Sequence, residues 1–157
     1  MKPQEIKTNS TGMQVTLVLA DYAVVADGKL NVMGAGWNIT GPAPSPFAIA
    51  GIIQVPWNET NTNHTFRFEL VDLDGNAVNV ETPEGEQPFF IEGGFQVGRP
   101  PGVRPGSAIP FHFAVNSGPA PLDPGGHFVW QLAINGQAHE DWRLPFSTRP
   151  EAQSQAA

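Results

Sequence analysis

The chain has 157 residues, with 8 Lys and Arg against 15 Asp and Glu, a formal charge of -7 and a pI near 4.9. That acidity sets aside nucleic acid and anionic membrane surfaces as partners. The absence of cysteine removes disulfides and thiolate chemistry. A chain of this length buries roughly 70% of its unfolded surface, so neither metal nor staple is needed to hold a core.

Gly 17 and Pro 16 are both high and lie between apolar runs, which fits many short strands joined by turns. Residues 1–12 and 149–157 are polar and aperiodic and are expected to be flexible tails around one domain, 13–148. No apolar run of the signal-peptide kind follows the start, and Asp21 breaks the Val15 to Ala26 stretch, so a cytoplasmic setting is expected.

Val15, Leu17 and Leu19 alternate with polar or smaller neighbours and predict a first strand to about Tyr22, followed by a turn at Asp27-Gly28. Leu30, Val32 and Ile39 predict a second strand interrupted by Gly34 and Gly36. Prolines 42, 44 and 46 make a stiff, extended connection. The third strand, Phe47 to Val55, is apolar on both parities. Such a strand is either central under a loop or part of a subunit contact.

Pro56 to Asn63 is a polar loop holding Trp57. Phe66, Phe68 and Leu70 mark the fourth strand, and Asp74-Gly75 turns it into Ala77 to Val80. Glu81 to Gln87 reads as an acidic loop, Phe89 to Val97 as a strand bulged at Gly93-Gly94, and Ile109 to Val115 as another. Loops rich in Pro and Gly, 98–106 and 117–126, flank that last strand.

The strongest pattern is Leu122 to Phe146. Phe128, Trp130, Leu132 and Ile134 alternate, Asn135-Gly136 offers a hairpin turn, and Trp142, Leu144 and Phe146 alternate again. A bare two-residue turn would place the second apolar set on the wrong face. An odd loop or a bulge is therefore required, with Trp130 and Trp142 on one face. A three-residue loop would set Trp130 opposite Trp142.

About nine strands, spaced near a dozen residues apart, predict an all-β antiparallel β-sandwich, immunoglobulin-like or a similar Greek key. The P-G-G-H-F-V-W stretch is similar to the penultimate strand of immunoglobulin-like sandwiches, with Phe128 where those often carry a corner tyrosine. The segment M-Q-V-T-L-V-L-A-D-Y-A-V-V-A-D-G-K-L-N-V-M-G-A-G-W, with Phe47 to Trp57, G-R-P-P-G and E-D-W-R-L, resembles an uncharacterised family of short single-domain actinobacterial proteins. The resemblance runs from Met13 to about Thr148. It implies a stand-alone bacterial domain and carries no catalytic residue.

Chemistry-bearing patterns are thin. No G-x-S-x-G turn or serine beside a base is visible. His112, His127 and His139 match no zinc spacing. Asp72 to Asn76 begins like a calcium loop, but Ala77 and Pro83 stand where glycine and glutamate are needed, so it reads as a turn. No catalytic residue, metal or cofactor is therefore expected. With every neighbouring strand antiparallel, one end of the domain would collect Asp27, Trp57 and Asp123 with Glu59, Glu84 and Glu86, and the other Arg99 and Arg104. Trp37, Trp57 and Trp142 are candidates for a sugar platform.

Two functions follow. The first is a non-enzymatic interaction module, binding a protein partner or a second copy through a sheet face or edge, motivated by Phe47 to Val55. The alternative is a sandwich that binds a small ligand, a carbohydrate or calcium at the acidic end through Asp27, Trp57 and Asp123.

Overall fold

Period-two alternation becomes twelve strands in the computed structural model, which describes residues 12–151. The remainder of the two expected tails lies outside the described residues. In chain order the strands are β1 Gln14–Ala20, β2 Tyr22–Ala26, β3 Lys29–Met33, β4 Ile39–Thr40, β5 Phe47–Val55, β6 His64–Asp72, β7 Asn79–Thr82, β8 Gly85–Pro88, β9 Phe90–Phe95, β10 Ile109–Ser117, β11 His127–Ile134 and β12 Gln137–Thr148. A 3-10 turn at Trp57–Glu59 is the one helical element among the described residues.

The count exceeds nine for local reasons. The first expected strand ends at Ala20, before Asp21, a further strand β2 follows it, and the Gly34–Gly36 segment separates β3 from β4. The expected acidic loop, 81–87, is largely the hairpin β7–β8. It carries no apolar alternation because it buries no face. Its turn is held by Thr82 Oγ1, which donates to the Gly85 carbonyl at 2.8 Å.

Two sheets enclose the main core. One has the order β1-β5-β10, all antiparallel; the other, curled, has the order β4-β12-β11-β6-β9, with β4 parallel to β12. That parallel pair departs from the wholly antiparallel expectation. Ile49 and Ile53 of β5, flanked by Leu19 and Phe113, meet Phe68, Leu70, Trp130 and Leu132 of the second sheet. Phe47 packs on Trp130 at 5.7 Å between ring centroids, and Phe68 on Phe113 at 6.1 Å. Each such ring contributes roughly 1.5–3 kcal/mol by leaving water.

The second apolar parity of β5 has its own cover. Ala48 and Ala50 are buried with Ala20 and Ala23 beneath the β2–β3 hairpin, where Leu30, Val32 and Ala114 pack against them. Alanine side chains are short enough to let the hairpin lie close. The amide of Asn116 ties it down, accepting the Ala23 N–H at 3.2 Å and donating to the Ala23 carbonyl at 2.7 Å. So β5 is central and covered, which removes the reason for reading it as a subunit contact.

The β11–β12 hairpin solves its register with a bulge. Asn135 and Gly136 both have positive φ, 52° and 80°, and Ile134 pairs with Gln137 across a two-residue turn. Ala133 then faces Ala138, but Gln131 faces Arg143, so Leu132 alone stands opposite residues 139–142. Three extra residues on β12 flip its parity. Trp130 consequently pairs with Leu144 and Phe128 with Phe146, not with Trp142 and Leu144 as a three-residue loop would require. Trp130 and Trp142 are both buried in the one core.

Candidate functional site

The expected acidic cluster is not assembled. Trp57 follows β5 at the end where Val55 pairs with Ile109, whereas Asp123 follows β10 at the opposite end, where Ser117 pairs with Phe47. Asp27 sits in the turn of the β2–β3 hairpin, which lies over the outer face of the three-stranded sheet. The parity count failed for Arg99 and Asp123 because residues 81–87, expected as a loop, supply the extra strand β8 and so one more reversal after Trp57, and for Asp27 because β2–β3 is not part of either core sheet.

Trp57 instead meets Arg99, a residue expected at the other end. The guanidinium lies 3.8 Å from the Trp57 ring centroid, its Nη2 donates to the Trp57 carbonyl at 2.7 Å, and its Nε donates to Thr60 Oγ1 at 2.7 Å. One face of the ring is thus covered by a cation held in place by two hydrogen bonds. Trp142 is core, and Trp37 packs edge-on against Phe146 at 6.2 Å, so the three tryptophans form no common platform.

The Asp72 carboxylate is committed to its own turn. Its Oδ1 accepts the N–H groups of Asp74 and Asn76, each at 2.9 Å. These bonds, that of Asn76 foremost, lower its pKa below the ordinary value of 3.8. No group of three or more His, Asp or Glu side chains placed to hold a metal occurs among the described residues. His64 is buried between the Glu59 carbonyl and the Asn135 amide, and His139 faces Asp141 at 3.6 Å.

Two features that bear on function were not foreseen. The first is a cleft at the Asp123 end, between the proline segment 42–46 and the 117–126 loop, with Trp130 and Phe146 in its wall. It measures about 400 Å³ with its open mouth. Trp37 lines it, and among the described residues the Trp37 Nε1–H is a buried donor without a partner. Thr148, also in the lining, is satisfied: its hydroxyl donates to the Asp123 carbonyl at 2.6 Å and accepts the Gly126 N–H at 2.9 Å. The only sequence signal for this cleft was the Pro-rich spacing before β5.

The second feature is the outward face of the β2–β3 hairpin. Tyr22 and Met33 are direct cross-strand partners, with Val24 next along the same face. They are 49%, 66% and 41% exposed.

No helix among the described residues is long and apolar enough to cross a membrane. A family model described as "Family of unknown function (DUF6941)" matches residues 15–147. No curated protein and no solved structure matches the chain.

Proposed function

This chain belongs to that family of unknown function, and we propose that it is a non-enzymatic interaction module that binds a partner protein through the outward face of the β2–β3 hairpin. The observation that carries the reading is the side-by-side exposure of Tyr22, Val24 and Met33. The hairpin's other face is already used to cover Ala48 and Ala50. Contiguous exposed apolar groups with a polar rim are the mark of a contact surface. The occupant is a partner protein with apolar anchors, since a charge of -7 disfavours a second copy; Asp21 and Asp27 bracket β2 and Lys29 shares the outward face. A second copy would bring the same charge. The setting is cytoplasmic, and the two core sheets act as a sandwich-type scaffold.

The test is affinity capture from the native cell with three forms: wild type, the Tyr22→Asp/Met33→Lys double variant, and Leu73→Lys. Leu73 is 65% exposed in another turn and serves as the control. The reading expects a partner held by wild type and by Leu73→Lys but lost by the double variant, with the wild type alone sedimenting as a monomer. A partner that survives the double substitution, or a wild-type dimer that the double variant dissolves, would overturn it.

A further inference from the structure

The cleft beside Trp37 carries an inference that does not rest on the hairpin. A buried donor left without an acceptor is costly, and native chains seldom keep one unless something completes it. The Trp37 Nε1–H is such a donor. Every residue lining the cleft is uncharged, and its walls are chiefly proline, alanine and aromatic side chains. Thr148, which could have supplied a competing polar group, is saturated by the Asp123 carbonyl and the Gly126 N–H.

We infer that this cleft is a binding site for a small uncharged molecule with an apolar chain and one oxygen acceptor, which takes the Trp37 N–H. An aliphatic amide, ester or alcohol fits this description. A charged group is disfavoured because nothing in the lining would pair it. The bulk of the occupant would lie between the proline segment and Leu122. Mostly apolar walls with a few placed polar groups, here the Trp37 N–H with the hydroxyls of Thr40 and Ser45 in the lining, are the usual composition of a small-molecule site.

The experiment is a titration of the full-length, 15N-labelled chain with hexanamide, and with hexylammonium as the charged control, followed at the indole N–H signals. Hexanamide is expected to shift the Trp37 signal saturably while those of Trp57 and Trp142 stay in place, and hexylammonium to leave all of them unmoved. Trp37→Phe should weaken hexanamide binding about threefold to tenfold, read at the Leu122 methyls, as expected for the loss of one neutral hydrogen bond. Ala43→Phe, at the exposed rim of the cleft, should block binding without touching the core. The inference fails if hexanamide leaves the Trp37 signal unchanged. It also fails if a bound water shows a persistent cross-peak to that N–H at saturating hexanamide, since the cleft is then a single-water site.

Discussion

Asn135 donates its side-chain amide to Nδ1 of His64 at 3.0 Å, while its side-chain carbonyl accepts the Thr65 N–H at 2.9 Å. The second bond fixes which way the amide points. Nε2 of His64 faces the Glu59 carbonyl at 2.8 Å, an acceptor, so Nε2 carries the proton and Nδ1 is bare. The turn between β11 and β12 is thereby clipped to the first residues of β6. We expect 15N spectra to show His64 as the Nε2–H tautomer. Asn135→Gly keeps the positive φ and removes only the amide. It should cost about 1–2 kcal/mol in urea unfolding and change the Nδ1 signal.

Gln131 fills the β11–β12 bulge. Its Nε2 lies 3.1 Å from the Leu132 carbonyl and 3.2 Å from those of His139 and Trp142, so its two hydrogens serve three acceptors. Gln131→Leu matches its volume but strands those carbonyls. A loss of about 1–3 kcal/mol is expected by chemical denaturation. Equal stability of the two proteins would show that the bulge holds itself.

Gly51 lies in the middle of β5 with the Phe113 ring over it. A Cβ there would meet the Thr16 carbonyl oxygen and stand 2.7 Å from Phe113 Cζ. The backbone cannot retreat without breaking the β1–β5 ladder. Gly51→Ala should cost about 1–3 kcal/mol or more, measured by thermal unfolding, and should move the Phe113 ring signals.

Asp72 links stability to pH. Its folded pKa is lowered below 3.8 by the hydrogen bonds from Asn76, Asp74 and Gly75. Its contribution is therefore complete above the unfolded value and disappears as pH falls through the folded one. Between about pH 5 and about pH 2, wild type should lose stability more steeply than Asp72→Asn. Parallel curves would remove the effect.

Arg99 shields Trp57. Arg99→Ala should increase acrylamide quenching of the tryptophan emission and shift it to the red, with a stability loss of about 0.5–1 kcal/mol. An unchanged quenching constant would mean that the ring is protected by other groups.

Much of the fold was legible because strands announce themselves by side-chain parity. The spacing of Phe128, Trp130, Leu132 and Ile134 required a buried face, and the mismatch with Trp142, Leu144 and Phe146 required a parity correction, which the bulge supplies. The double apolarity of Phe47 to Val55 marked a covered strand but could not name its cover. That cover is the alanine-lined hairpin, whose short side chains give little periodic signal.

The candidate site was far less legible. Grouping Asp27, Trp57 and Asp123 depended on counting strand reversals, and a single extra strand sends every later loop to the wrong end. The amino-acid order alone determined the class of structure, the turn chemistry and the core, because those depend on neighbours within a few residues. Tertiary structure alone decided that Arg99 meets Trp57, that Asn135 meets His64, and that Trp37 keeps an unpaired N–H in a cleft. Such meetings depend on which strands lie side by side, and two strands far apart in sequence carry no local record of having been paired.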